Sequence, residues 1–225
     1  MRACMFAFLL AASLWAGATS MAAMRCARDP HGPEDEAAAL RASAGRVSRD
    51  GGLLRLTTTA GPIEFRDTEC GEKIPSSADC RKYNLVADLP DHGFYVVSAS
   101  YYEGGVYHLV DANTGRDTEL QGFPQFAPDG ARFVTVTGDD PYMFNGVEVW
   151  RVSATGPSRE ARYAPRYEAP GITSYCFEQW IDPRHVALRG TRWRGHDPGD
   201  EEFVLERFEA VLVHAGRHWI VKRKR

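Results

Sequence analysis

Between Val106 and Val152 apolar and polar positions alternate in short runs broken by turn formers, and the pattern predicts strands rather than helices. Tyr107-His108-Leu109-Val110 is short, aromatic and β-branched, which suits a strand. Asp111-Ala112-Asn113-Thr114-Gly115 ends it, because Asp and Asn side chains bond nearby backbone and Gly accepts a positive φ. Thr118 to Leu120 then pairs as the returning strand. Pro128-Asp129-Gly130 makes a second turn, with Pro fixing φ at its first central position. Arg132 to Thr137 follows, Asp139-Asp140-Pro141 and Asn145-Gly146 mark the next reversal, and Val147 to Val152 completes the stretch. It reads as about one four-stranded sheet of a repeating all-β architecture.

The pattern recurs. VYHLVDANTG matches VEVWRVSATG, with Gly156 in place of Gly115, and FEAVLVHAG, which ends at Gly216. A strand precedes each copy: FYVVSAS from Phe94, FVTVTG from Phe133 and VALRG from Val186. The first two closing glycines lie 41 residues apart and the next two 60, the excess falling in the Ser158–Gly171 insert and the Gly195–Glu202 loop. A period near 40 residues with four strands is that of a propeller blade. On this alignment His108 and His214 take equivalent repeat positions, which implies a repeated packing role.

The segment PQFAPDGARFVTV, followed by strand, turn and a strand ending in D-x-x-T-G, resembles the repeats of TolB-type and WD-like β-propellers. The likeness covers Val106 to Gly156 and extends to Phe94–Gly105 and Trp180–Gly216, where Asp182-Pro183-Arg184 replaces Pro-Asp-Gly. It does not reach the chain before residue 90, and no Trp-Asp or Gly-His signature of the WD subfamily is present. The resemblance implies a propeller-like stack of about four small antiparallel sheets, with the Pro-Asp-Gly turn joining the outer strand of one blade to the inner strand of the next. It transfers no catalytic residue. A closed ring, an incomplete propeller-like stack and a two-sheet sandwich with hairpins at similar spacing all fit the pattern.

Ahead of the repeats, Arg2, the apolar run Met5 to Ala16 and the small residues after it read as a signal peptide over 1–23, with cleavage after Ala18 or Ala23. Residues 24–50 read as an N-terminal segment, and 51–225 as the β-repeat domain. Gly32-Pro33-Glu34-Asp35-Glu36 followed by AAALRA predicts one short helix: Pro at its first position, acids at the positive end of its dipole, Arg41 and Gly45 at its end. Leu53–Leu56 and Ile63–Phe65 read as a hairpin around Ala60-Gly61-Pro62, and Tyr83–Leu89 as a further extended run. One diverged unit is expected near 51–89.

An exported chain changes how its cysteines are read. With Cys4 removed, Cys26, Cys70, Cys80 and Cys176 remain, an even number suited to an oxidising compartment. Of three pairings, Cys70–Cys80 closes a small polar loop and leaves Cys26–Cys176. No C-x-x-C or H-x-x-H spacing offers a metal site. The formal charge of −3, or −4 without Arg2, gives no reason to expect nucleic acid. Lys222-Arg223-Lys224-Arg225 reads as a frayed, solvated terminus. No membrane span is expected in the mature chain, whose location is periplasmic or secreted.

Candidate chemistry is sparse. Tyr101 and Tyr102, before the Glu103-Gly104-Gly105 hairpin tip, are placed to stack on a sugar or peptide. Asp139 and Asp140, with Asn145, carry oxygens of the kind that hold calcium, yet lack the EF-hand spacing and are ordinary turn formers. His196 and Asp197 lie in a Gly-rich loop beside Asp200, Glu201 and Glu202, a stretch whose charge keeps it solvated. His92 belongs to a turn. No G-x-S-x-G elbow occurs, so no catalytic, cofactor-binding or metal-ligating residue is assigned and no cofactor is expected. Phe94, Phe126, Phe133, Trp150, Trp180, Phe208 and Trp219 read as core. The expected function is an exported, non-catalytic β-repeat protein that binds a protein partner through its loops. The alternatives are a hydrolase or lyase acting on carbohydrate or peptide in a central depression, and a ligand- or metal-binding accessory protein.

Overall fold

The computed structural model describes residues 33–68, 80–101, 104–138, 145–165, 173–194 and 204–224. The signal-peptide reading and Cys26 and Cys70 therefore lie outside the described residues. The chain is all-β with a single short helix, α1 (Pro33–Ala42). Four antiparallel sheets follow in chain order, each built from consecutive strands. The first holds β1 (Val47–Asp50), β2 (Leu53–Thr58) and β3 (Gly61–Arg66). The second holds β4 (Lys82–Leu89), β5 (Phe94–Tyr101), β6 (Gly104–Asp111) and β7 (Asp117–Leu120). The third holds β8 (Gln125–Phe126), β9 (Arg132–Thr137), β10 (Gly146–Arg151) and β11 (Ser158–Tyr163). The fourth holds β12 (Thr173–Asp182), β13 (His185–Arg194), β14 (Val204–Ala215) and β15 (His218–Arg223).

Side-chain alternation explains how the sheets stack. Along β5, Tyr95 and Val97 turn to the first sheet and meet Leu54, Leu56 and Phe65. Phe94 and Val96 turn the other way and join Leu109, Leu120 and Phe133 against the third sheet. Val134, Val147 and Val149 continue from the third sheet to Tyr175, Val186, Leu188 and Leu212 of the fourth. A strand buried on both faces needs an unbroken apolar run, and Phe94-Tyr95-Val96-Val97 supplies it. All seven aromatics expected in the core pack on these clusters. None of the three clusters joins the fourth sheet to the first. The outward face of the first sheet is polar, with an exposed Arg55–Glu64 pair at 2.7 Å. That of the fourth carries exposed Ile220.

Three repeat strands, FYVVSAS, FVTVTG and VALRG, are indeed the second strands of the second, third and fourth sheets, and the glycine-terminated copies are their third strands. Several expectations change. Val106–Val152 spans parts of two sheets, because β8 is only two residues long and opens a new sheet within it. The Pro128-Asp129-Gly130 turn joins β8 to β9 inside one sheet, where Phe126 pairs with Phe133, rather than linking neighbouring sheets. Two histidines expected at equivalent positions are not: His108 pairs across β5 with Val97, whereas His214 lies at the far end of β14 opposite Trp219. The basic C-terminus is not frayed over its described residues, 222–224, since β15 runs to Arg223, whose guanidinium lies 3.8 Å from the Phe208 ring centre; Arg225 lies outside the described residues. β1, in the segment read as preceding the repeats, pairs with β2.

Helix α1 is tied to this stack by Glu36, whose carboxylate accepts from the Leu85 amide at 2.9 Å and from Arg49 at 2.6 Å. Ala39 and Leu40 lie against the first core cluster. Among the described residues no helix is long and apolar enough to cross a membrane.

Candidate binding end of the sheet stack

Up-and-down connectivity gives every sheet two ends, and the sheets are aligned. At one end lie the first-to-second and third-to-fourth strand turns: 90–93 and 112–116, then 127–131 and 152–157, then 183–184 and 216–217. The alignment rests on contacts between neighbouring turns. The His92 ring stacks on Phe126 at 4.1 Å, Arg116 donates to the Thr155 carbonyl, and Thr59 and Ala60 amides donate to Ala112 and Asn113 carbonyls at 2.9 Å. Trp180 Nε1 donates to the Gln125 carbonyl at 2.9 Å, bringing the fourth sheet into line. Aspartates hold the turns: Asp111 accepts from the Asn113 and Thr114 amides, Asp129 from Ala131 and Asp182 from Arg184. At Asp182 those backbone and His185 hydrogen bonds lower the carboxyl pKa.

At the opposite end lie the second-to-third strand connections of the same three sheets, after Tyr101, after Thr137 and after Arg194. The six ligand-site candidates belong to these three equivalent connections: Tyr101 and Tyr102, Asp139 and Asp140, His196 and Asp197. Tyr101 is described; the other five lie outside the described residues. The strands that carry them all run to one end of the stack, and this is the feature the linear sequence conceals. A Cβ on Gly138 would fall 2.8 Å from the Tyr175 carbonyl, so the third and fourth sheets meet closely where this end begins.

Tyr101 is half-buried, with the Arg81 guanidinium 5.4 Å from its ring centre. Burial raises its pKa, Glu119 adds to the rise, and Arg81 opposes it. The ring therefore stays a neutral phenol, able to stack and to exchange hydrogen bonds. On the same face of the second sheet, Tyr83 and His108 form an aromatic group with Phe65 of the first sheet, with centres 5.1 to 5.9 Å apart. His108 Nδ1 lies 2.8 Å from Asp117, which favours a proton on Nδ1, and Nε2 is buried among the rings without a hydrogen bond. A ring nitrogen enclosed this way meets no solvent, so the Asp117 contact orients and packs the ring. Asn145, returning from the Asp139–Asp140 connection, keeps its Oδ1 buried and unbonded.

Sequence reading missed two carboxylate clusters in the third sheet. Glu148 is 1% exposed and accepts from Arg159 at 2.8 Å, with Arg162 at 3.5 Å and Thr135 Oγ1 at 3.5 Å. Glu160 accepts from Arg132 at 2.9 Å, from Arg151 and from Trp219 Nε1 at 3.2 Å of the fourth sheet. Burial alone would raise the Glu160 pKa, but these donors bring it down to about 2. Their only trace in sequence is the charge alternation of Ser158–Tyr163, which reads as a loop insert until β10 pairs with it. Both carboxylates are engaged by arginines and act as cross-strand or cross-sheet ties. Asp88, paired with Arg46, has its pKa raised by burial in spite of that partner.

Cys80 and Cys176 are both disulfide-bonded. Among the described residues no group of three or more His, Cys, Asp or Glu is placed to hold a metal ion. Comparison of the chain with family models, with curated proteins and with solved structures finds no match.

Proposed function

We propose that this chain is an exported, non-catalytic binding protein that engages a protein partner through the loops at one end of a propeller-like stack. One observation carries the reading: the connections after Tyr101, Thr137 and Arg194 are equivalent in three successive sheets, so one partner surface can meet all three at once. Loops on a rigid β scaffold are the usual place for recognition. The carboxylates described near the core support it too, because Glu148 and Glu160 are spent on arginines of the same chain. The reading includes export to the periplasm or beyond, from the N-terminal sequence.

Its test is affinity capture from the exported fraction, with the mature chain as bait and two variants beside it. Tyr101→Ala alters the loop end and Arg116→Ala the turn end. A partner retained by Arg116→Ala and lost by Tyr101→Ala supports the proposal. Turnover of a chromogenic glycoside or peptide by the purified chain, abolished in Asp140→Asn or His196→Ala, would replace it with the hydrolase or lyase reading.

A further inference from the structure

Where the third and fourth sheets meet at the turn end, the joint holds more cations than its own carboxylate can neutralise. Strand alternation sends one set of side chains from each sheet into the gap. Arg132, two residues before Val134, and Arg151, two after Val149, enter it from the third sheet. His214, two residues after Leu212, and Trp219 enter it from the fourth. Glu160 sits at the bulge where β10 and β11 change register, and it joins the two sides. It accepts from Arg132 at 2.9 Å, from Arg151 and from Trp219 Nε1 at 3.2 Å. The His214 and Trp219 rings stack with centres 4.8 Å apart, and the Arg132 guanidinium lies 6.0 Å from the Trp219 ring centre. Arg184 belongs to the same group, because its carbonyl accepts from the His214 amide at 2.9 Å.

The charges here do not balance. Arg132 and Arg151 share one carboxylate, and Arg151 is largely in solvent. The Arg184 guanidinium is exposed and has no ion-pair partner among the described residues. Asp182, in the same turn, is spent on His185 and the Arg184 amide, and Arg217 and His218 are exposed beyond His214 in its own hairpin. The surplus acts on His214. Burial comes first in lowering its pKa, Arg132, Arg184 and Arg151 lower it further, and Glu160 opposes them. The ring is therefore neutral at pH 7 and keeps one N–H to donate.

We propose that this joint binds a phosphate group at the turn end, held by Arg151 of the third sheet and by Arg184 and His214 of the fourth. Guanidinium forks and a ring N–H are the donors that phosphate oxygens take. Phosphate is favoured over a carboxylate because three guanidiniums stand against one carboxylate, a surplus that a dianion fills. A bound phosphate repeats near the surface what Glu160 does within the joint: it ties the third sheet to the fourth. Tyr101 lies at the opposite end of the stack, so the site stands or falls separately from the loop-end reading. Free phosphate and a phosphate monoester present the same group to these residues.

The test is histidine NMR of the purified protein, with the His214 signal assigned through His214→Gln. Inorganic phosphate is titrated against chloride at constant ionic strength. Saturating phosphate should raise the His214 pKa by about one unit, since an anion beside the ring favours its charged form. By linkage, phosphate then binds the protonated ring about tenfold tighter. No rise, or an equal rise in chloride, would overturn the site. Arg184→Ala removes an exposed side chain and leaves the backbone bond to His214. It should weaken phosphate about tenfold and, without phosphate, raise the His214 pKa. Unchanged affinity in that variant would also overturn the site. Arg55→Ala, on the outward face of the first sheet, should leave affinity unchanged, and an equal loss there would overturn the site in favour of net charge. Acetate binding as tightly as phosphate would overturn the choice of phosphate. Phenyl phosphate separates the two sources: tighter binding than inorganic phosphate supports a monoester ligand, and equal or weaker binding supports free phosphate.

Discussion

The two ends of the stack solve different problems. The turn end is made from short connections whose geometry is set by Asp side chains, Pro and positive-φ glycines, and neighbouring turns bond to one another across sheets. The loop end has connections of unequal length between equivalent strands, from 102–103 to 195–203. Aromatic packing follows the same division. Phe133, just after a turn, lies within 6 Å of Phe126 and Trp150 with no exposure at all, while Tyr101, just before a loop, is half-buried beside Arg81. Where strand pairing and stacking are fixed from one end, the other is free to vary in sequence without loss of fold. Each prediction below tests whether stability and recognition really separate in this way.

The largest effect should come from Phe133→Ala. Deleting a fully buried ring costs its transfer free energy and leaves a cavity between the second and third sheets, about 3–5 kcal/mol together. Denaturant unfolding measures it. A loss below about 1 kcal/mol would mean the turn end does not hold the sheets together. Gly115→Ala comes next. Gly115 has φ of 70°, and a Cβ there would approach Ile63 Cδ1 to 3.0 Å, so backbone strain of about 1–2 kcal/mol adds to a tight contact. An unchanged unfolding midpoint would show that the turn relaxes freely.

A pH series sharpens the account of Glu160, which ties the third sheet to Trp219 of the fourth. Its folded pKa of about 2 lies below the ordinary 4.5. The native state therefore binds its proton less readily than the unfolded chain. The resulting stabilisation is present in full above pH 4.5 and is lost as pH falls toward 2. Glu160→Gln should lower the denaturant midpoint at pH 7 and flatten its fall between pH 4.5 and 2. The effect should be modest, because Arg151 is largely in solvent and its pairing is screened. A wild-type slope retained in the variant would assign the acid sensitivity to another carboxylate.

The division also explains what could be read from the sequence. Second and third strands were legible because their apolar runs are long and their closing glycines recur at Gly115, Gly156 and Gly216. First strands were legible less evenly: β4 shows as the run Tyr83–Leu89, but Gln125–Phe126 is too short for any period to show. Of the fourth strands, Thr118–Leu120 was legible as the returning strand of the second sheet, whereas that of the third sheet was hidden for a different reason. Ser158–Tyr163 has no buried position along its length, so its charged residues look like a loop, although Arg159 and Glu160 close the two carboxylate clusters. The candidate residues were visible one by one as loop chemistry. Their shared end was not, since it follows from strand direction and from cross-sheet contacts such as His92 on Phe126.

Tyr101→Ala should have the smallest effect on stability and the most direct one on recognition. The ring is half-buried at the end of β5, outside the three core clusters, and its described partner is Arg81. Losing that cation–π contact costs about 0.5–1 kcal/mol. The sheet pairing on either side is set by backbone bonds from Phe94 to Ser100, which the substitution leaves alone. Unfolding should therefore shift by no more than about 1 kcal/mol, while capture of a partner falls at least tenfold. Tyr101→Phe separates the two roles of the side chain, since it keeps the ring over Arg81 and removes the hydroxyl. Capture restored in Tyr101→Phe would assign recognition to stacking, and capture still lost would assign it to the hydroxyl. A Tyr101→Ala protein that unfolds as readily as Phe133→Ala would break the comparison itself, because the loop end would then be carrying the fold.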